Sequence, residues 1–157
     1  MRVLMVLSLL ALSACASAPE REASEAQAAA REEAIQDILT TPLAAEDYVE
    51  SERCLSTYTY RSVDVLDDRN VLFKGPGDRA WINQLRHRCI GLRRNDTLQF
   101  ELRDNRLCEL DSFESVDTLF RVWSRTSATC TLGKFQPVTP EQVEALRAAV
   151  REDRRNR

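Results

Sequence analysis

Histidine and glycine are scarce in this chain of 157 residues, which has one His and four Gly. The single imidazole, at His87, excludes a metal site or a catalytic relay that needs two histidines. Four glycines are too few for a glycine-rich loop that cradles phosphate. The longest mainly apolar run has ten residues, with Ser8 among them, well short of the about 20 that a membrane-spanning helix needs. The composition therefore favours one ordinary domain with appendages, and we expect neither a metal nor a cofactor.

The apolar run, residues 3–12, follows the positive charge of Arg2, an order that is typical of a secretory signal. The residues at its end, Leu12-Ser13-Ala14-Cys15, resemble the lipobox of bacterial lipoproteins, in which a peptidase cuts before a Cys whose thiol has been acylated. This resemblance predicts a signal peptide over residues 1–14 and lipidation of Cys15, with acyl chains such as palmitate as the membrane anchor. The alternative is an ordinary signal peptide that ends near a Cys by chance.

The residue after a lipidated Cys directs sorting between the two membranes of Gram-negative bacteria. An Asp at this position retains a lipoprotein in the inner membrane, whereas this chain has Ala16. We therefore expect a lipid-anchored protein of the outer membrane whose domain faces the periplasm.

Charge is divided unevenly, so the net charge of −3 is an average of unlike parts. Residues 16–52 contain ten acidic residues and two Arg, a net charge of −8, whereas residues 53–137 contain 14 basic and 11 acidic residues. We therefore divide the chain after its signal peptide into three parts. They are a lipid anchor with an acidic tether (15–52), a β-rich domain framed by disulfides (53–137), and a C-terminal helix with an Arg-rich tail (138–157).

Strong helix formers dominate the acidic tether. Ser24 and Gln27 match a capping box, which predicts a helix over residues 25–39 that ends before Pro42. The large apolar residues of this helix lie only between positions 35 and 39. Its N-terminal half therefore has little to bury, and we expect a partly helical tether.

The middle of the chain is rich in β-branched and aromatic residues on both sides of Asp67-Asp68-Arg69-Asn70. This pattern predicts a β-hairpin over residues 56–74, with a bulge near Arg61-Ser62 that brings the large residues to one face. Asp78 then stands where it could cap a short helix that carries Trp81, Ile82 and Leu85 on one side.

Apolar and polar residues alternate from Leu98 to Leu102, and Asp104-Asn105 is a turn signal before Leu107. This segment predicts a second hairpin. Two short strands are expected after it, around residues 118–123 and 128–135.

A C-terminal helix has the clearest start signal in the chain. Thr139 suits the N-cap, Pro140 the first helical position, and Gln142 completes a capping box. Its apolar residues, among them Val143 and Leu146, are few, so we expect it to pack lightly or to fray. The predicted fold is α+β, a mainly antiparallel sheet of four to six strands that could curl into a barrel, with a short internal helix and a C-terminal helix.

Four cysteines follow Cys15, at positions 54, 89, 108 and 130. None of them belongs to a Cys-x-x-Cys pair, so neither a zinc knuckle nor a thioredoxin-type motif is indicated. An even number of cysteines in an exported chain predicts two disulfides. Three pairings are possible, and we favour Cys89–Cys108, which closes a short loop, with Cys54–Cys130, which ties the first strand to the last.

Five stretches carry a family resemblance: DDRNVLF (67–73), WINQL (81–85), RCIGL (88–92), LCELD (107–111) and CTLGKFQP (130–137). Over about residues 54–137 they resemble a family of small proteobacterial exported proteins and lipoproteins of unknown function. The four cysteines and the Cys-x-Leu-Gly-x-Phe-x-Pro stretch are its most distinctive parts. The family usually has Cys-Pro-Gly-Leu where this chain has Cys89-Ile90-Gly91-Leu92. The resemblance implies no activity, cofactor or ligand.

The strongest candidates for partner binding are four arginines, Arg86, Arg88, Arg93 and Arg94, in a stretch without acidic residues. The planar guanidinium group suits carboxylates and phosphates. In an envelope, these anions belong to lipid headgroups, lipopolysaccharide or peptidoglycan, and nucleic acid is not an expected partner. The alternative is a solvated loop whose arginines pair with the acidic tether.

These observations predict a noncatalytic lipoprotein of the cell envelope that is structural or binds an envelope component, and they leave its oligomeric state open. The alternative is a periplasmic enzyme with a cleft lined by carboxylates around Asp67, Asp68 and Asp111. Converging carboxylates of raised pKa in a deep pocket would favour the enzyme. A filled core with a flat or basic face would favour the binding protein.

Overall fold

The structure is a computed structural model that describes residues 18–43, 50–94, 96–102, 104–117 and 124–155. The expected signal peptide, the lipidation site Cys15 and the strand expected around residues 118–123 lie outside these ranges.

Two helices and ten short strands make up the described part of the chain. Helix α1 spans Ala18–Thr40 and α2 spans Pro140–Arg155. The strands are β1 (Cys54–Ser56), β2 (Ser62–Val65), β3 (Asn70–Lys74), β4 (Ala80–Gln84), β5 (Thr97–Phe100), β6 (Arg106–Cys108), β7 (Ser112–Asp117), β8 (Ser124–Arg125), β9 (Cys130–Thr131) and β10 (Phe135–Val138).

All strand pairs are antiparallel and form three small sheets. One sheet has the order β10-β4-β3-β2, a second joins β5, β8 and β9 to β7, and a third is the pair β1-β6. The α+β prediction is therefore confirmed. None of these three sheets closes, so the described residues do not form the barrel that we considered.

The first predicted hairpin is confirmed from residue 62 onward, where β2 and β3 pair with Val65 opposite Val71. Asp67 fixes the turn because its Oδ1 accepts hydrogen bonds from the backbone N–H groups of Arg69 and Asn70, both at 2.8 Å. The segment before residue 62 does not extend this hairpin through a bulge. It turns instead, and β1 belongs to another sheet.

The short internal helix that we expected after Asp78 is wrong, because residues 80–84 form the strand β4 between β3 and β10. Both faces of β4 are covered: Trp81 lies in one apolar core and Ile82 in the other. A strand that is buried on both faces has no alternation of apolar and polar residues, so its periodicity does not separate it from a buried helix.

The second predicted hairpin is also wrong in its pairing. The turn at Asp104-Asn105 is present, with φ of 53° and 55°. However, β5 pairs with β7 and β6 pairs with β1. The turn therefore passes the chain from one sheet to another.

All four cysteines in the domain form disulfides, as expected, but with other partners. Cys54 is bonded to Cys108, and Cys89 to Cys130, with Cα–Cα distances of 3.9 and 5.5 Å. The pairing of β1 with β6 places Cys54 directly opposite Cys108. Our pairing assumed the second hairpin and favoured the shortest loop, and it is wrong because β6 finds its partner strand 54 residues away along the chain.

The start of α2 is confirmed by a reciprocal capping box. The backbone N–H of Thr139 donates to Oε1 of Gln142 at 3.0 Å, and the backbone N–H of Gln142 donates to Oγ1 of Thr139 at 3.2 Å. Contrary to our expectation of light packing, Val143, Leu146 and Val150 of this helix are all buried.

The main sheet has an apolar core on each face. On one face, Phe73 packs against the rings of Tyr60 and Phe135, each with centroids 5.2 Å away, and this core extends to the other two sheets. On the opposite face, Leu72 and Ile82 belong to a second core that the helices complete. The described part therefore has helices, main sheet and smaller sheets in three layers.

Candidate functional site

The four candidate arginines lie in the segment between β4 and β5, and we call residues 85–94 the Arg loop. Hydrogen bonds join the loop to the β2–β3 turn on one side and to the segment before β9 on the other. The backbone N–H of Cys89 donates to the carbonyl oxygen of Asp68 at 2.7 Å, and the N–H of Ala128 donates to the carbonyl oxygen of Ile90 at 2.9 Å. The Cys89–Cys130 disulfide adds a covalent link. The loop is therefore held at its centre by the β2–β3 turn and by the segment before β9.

Gly91 has φ of 88°, a left-handed conformation that favours glycine. A Cβ on this residue would lie 2.7 Å from the carbonyl oxygen of Thr126, so the loop approaches the segment before β9 closely. Leu92 is buried beside it. The Cys89-Ile90-Gly91-Leu92 stretch therefore follows a tight turn against its neighbour.

The structure distinguishes one of the four arginines from the other three. Arg88 forms an ion pair with Asp68, with Nη1 2.9 Å from Oδ2. Arg86 and Arg93 are exposed and Arg94 is half-buried. Among the residues that the structure describes, no carboxylate lies within ion-pair distance of these three guanidinium groups. Three arginines of the loop thus have no anionic partner within the described ranges.

The tether does not supply the missing carboxylates in the part of it that is described. Glu32 of α1 lies 3.9 Å from Arg69, which belongs to the β2–β3 turn rather than to the Arg loop. Asp96 is the nearest acid to the loop in sequence, and its Oδ2 accepts a hydrogen bond from the backbone N–H of Arg93 at 2.8 Å. That contact leaves the Arg93 guanidinium available to another anion.

Sequence reasoning missed Arg31, the buried cation of α1. Its side chain is only 5% exposed, with Nε 3.2 Å from Oδ2 of Asp67 and Nη2 3.4 Å from Oδ1 of Asp68. Arg31 lies four and eight residues before Ile35 and Leu39, which places it on the buried face of the helix. That spacing was the available signal, but we expected the N-terminal half of α1 to have little to bury.

The structure places Asp67, Asp68 and Asp111 in two different turns. Burial raises the pKa of Asp67, and this effect outweighs the hydrogen bonds from Arg69 and Asn70 and the charge of Arg31. This carboxylate caps a turn. Asp111 serves a different turn, where its Oδ2 accepts a hydrogen bond from the backbone N–H of Cys108 at 2.7 Å. In the described ranges, no group of three or more His, Cys, Asp or Glu residues is arranged to hold a metal ion.

A groove of about 810 Å³ lies elsewhere, where β4, β10 and the start of α2 meet. Its walls include the carboxylates of Glu52, Asp78 and Glu141. Glu52 accepts a hydrogen bond from Nε1 of Trp81 at 3.0 Å. The pKa of Glu141 is lowered by hydrogen bonds from its own backbone N–H and from Thr139. A lowered pKa is the opposite of what a general acid requires.

The residues that carry the family resemblance have structural roles in the 130–137 stretch. Leu132 and Phe135 are fully buried core residues, and Cys130 is bonded to Cys89. Between them, Gly133 exchanges two hydrogen bonds with the side chain of Asn83, at 2.8 and 2.9 Å. These residues of the 130–137 stretch therefore help to build the core of the domain.

In the described part of the chain, neither helix has the length and apolarity needed to cross a membrane. Comparison with known proteins finds no match among curated proteins and none among solved structures. A family of unknown function, DUF6491, matches residues 1–156. The match thus extends well beyond the residues 54–137 on which our resemblance rested, and the chain belongs to this family of unknown function.

Proposed function

We propose that the protein is a noncatalytic lipoprotein of the cell envelope that binds an anionic envelope component through the Arg loop. The main support for this proposal is that Arg86, Arg93 and Arg94 have no anionic partner among the described residues. They lie on a loop that a disulfide and backbone hydrogen bonds fasten, and no carboxylate among the described residues neutralises them. A fastened loop loses less conformational entropy when it binds than a free one does.

Phosphate and carboxylate groups are the anions that such a loop would bind. Each arginine near an anionic surface contributes about 1 kcal/mol, and salt screens this attraction. Arg88 contributes less, because Asp68 already neutralises it. We therefore assign binding to the other three arginines.

The enzyme alternative has weaker support. Asp67, Asp68 and Asp111 are engaged in turns, and the pKa that burial raises belongs to Asp67, whose Oδ1 holds two backbone N–H groups. The groove beside Trp81 has other carboxylates, but the pKa of Glu141 is lowered there. Binding is the function that this geometry supports best.

The experiment uses residues 16–157, exported behind a conventional cleavable signal in place of residues 1–15. This chain keeps every described helix and strand, since the first of them begins at Ala18. We expect it to cosediment with envelope fractions at low salt and to be released at high salt. The triple variant Arg86→Gln, Arg93→Gln, Arg94→Gln should lose most of this binding.

The matched control neutralises three exposed arginines outside the loop, with Arg61→Gln, Arg106→Gln and Arg151→Gln. It changes the net charge by the same amount and should bind as the unaltered chain does. If the loop variant and the control bind equally well, the Arg loop is not the binding site.

A further inference from the structure

Ile90 is a large apolar residue at the centre of the Arg loop, and it is 79% exposed. Its neighbours Cys89 and Leu92 are buried, with 1% and 6% exposure. The chain therefore buries the apolar side chains on both sides of Ile90 and leaves this one in water.

The backbone around Ile90 is fixed in the described structure. Its carbonyl oxygen accepts a hydrogen bond from the N–H of Ala128, the preceding residue is bonded to Cys130, and the following glycine contacts the backbone of Thr126. Rotating Ile90 inward would require breaking this arrangement. The loop therefore presents one apolar side chain in a set position, with Arg86 and Arg88 before it and Arg93 after it.

We propose that the partner of the Arg loop is a lipid surface with anionic headgroups, into which Ile90 inserts. This inference rests on the proposed function and names its partner. The arginines would contact the headgroup phosphates, while Ile90 enters the boundary between headgroups and acyl chains. Peptidoglycan and soluble phosphates offer the same arginines an anion, but they offer Ile90 no apolar phase.

Two contributions add in the free energy of binding to a membrane interface: the attraction between charges and the burial of apolar area. Full burial of an isoleucine side chain changes a partition constant by at least about tenfold. An Ile90 that is only partly inserted should contribute about fivefold to tenfold. The change Ile90→Ser should therefore weaken binding to anionic vesicles by about this factor without affecting folding, since the side chain has few contacts to lose.

The experiment measures binding of residues 16–157 to two probes. The first is a set of vesicles of phosphatidylcholine with 30% phosphatidylglycerol, and the second is inorganic polyphosphate, which has phosphates but no apolar phase. The variants are Ile90→Ser, the Arg86, Arg93 and Arg94 triple variant, and Tyr58→Ser as the matched control. Tyr58 is also a large exposed side chain, with 82% exposure, and it lies outside the Arg loop.

We expect Ile90→Ser to bind the anionic vesicles about fivefold to tenfold more weakly and to bind polyphosphate unchanged. The arginine variant should lose binding to both probes, and Tyr58→Ser should lose neither. If Ile90→Ser binds the vesicles as tightly as the unaltered chain, the insertion of Ile90 is wrong. In that case, loss of polyphosphate binding in the arginine variant would still support the proposed function. If the arginine variant keeps both affinities, the proposed function itself fails.

Discussion

Arg31 is the buried cation through which the tether contacts the β2–β3 turn of the domain. Its guanidinium group contacts Asp67 and Asp68 of the β2–β3 turn, and Arg88 of the Arg loop contacts Asp68 from the other side. A buried ion pair adds little net stability, but removal of one partner leaves the other charge buried and unpaired. Arg31 is therefore the position at which a point mutation should affect α1, the turn and the Arg loop together.

We expect Arg31→Ala to lower the free energy of unfolding by about 3 kcal/mol, because it leaves the carboxylate of Asp67 without its cation. The matched control is Arg53→Ala, which removes an exposed ion pair with Glu109 and should cost at most about 1 kcal/mol. Urea unfolding of both variants gives the comparison. Similar losses in the two variants would contradict the role of Arg31.

The loss should also depend on pH. Burial already raises the pKa of Asp67 in the folded state, and removal of Arg31 takes away a charge that lowers it. Between the ordinary pKa and this raised pKa the folded state binds more protons than the unfolded state, so stability falls as pH rises through that window. The Arg31→Ala variant should therefore lose less stability at about pH 5 than at about pH 7.5. An equal loss at both pH values would contradict this account of Asp67.

Among the elements, those with local signals could be predicted from the sequence. The capping box of α2 and the Asp67 turn of the β2–β3 hairpin are satisfied by neighbouring residues, so their patterns were sufficient. By contrast, β4 lies between β3, which directly precedes it, and β10, which comes from a distant part of the chain. The register of β1 with β6, and with it the disulfide pairing, depends on the same kind of long-range contact.

The two disulfides offer a comparison between elements. Removing either bond should cost about 4 kcal/mol by the loop-entropy argument, since the bonds close loops of similar length, with sequence separations of 54 and 41. Only Cys89–Cys130 fastens the Arg loop. We expect Cys89→Ala with Cys130→Ala to weaken anion binding severalfold, and Cys54→Ala with Cys108→Ala to leave it unchanged under conditions in which both variants are folded. Equal binding by the two double variants would show that the fastening of the loop is irrelevant.

At the scale of the whole molecule, the candidate site was predicted only in part. The sequence shows the four arginines in a stretch without acidic residues. Only the fold shows that Asp68 neutralises Arg88 and that Ile90 is exposed to solvent. The second half of α1 likewise contributes Ile35 and Leu39 to the core with α2. Gln142 and Gln136 hold its end by donating to the carbonyl oxygens of Ile38 and Leu39.

Because α1 packs against the core, this helix would connect the proposed anchor to the domain. At 1.5 Å per residue, Ile35 lies about 25 Å along α1 from Ala18, so a lipidated Cys15 would connect to the core through a helix. We expect palmitate labelling of the full chain in cells and its recovery in the outer-membrane fraction. Cys15→Ala should abolish the label, and Cys54→Ala, which alters a cysteine of the domain, should keep it. A label that persists in Cys15→Ala would contradict the anchor.

A titration of residues 16–157 with inorganic polyphosphate over a range of salt concentrations tests most directly whether the Arg loop binds anions. We expect binding that weakens steadily as salt rises, and its loss in the Arg86, Arg93 and Arg94 triple variant. The control triple variant at Arg61, Arg106 and Arg151 should retain it. Binding that is independent of salt, or that survives neutralisation of the three loop arginines, would contradict the claim that the Arg loop is an anion-binding site.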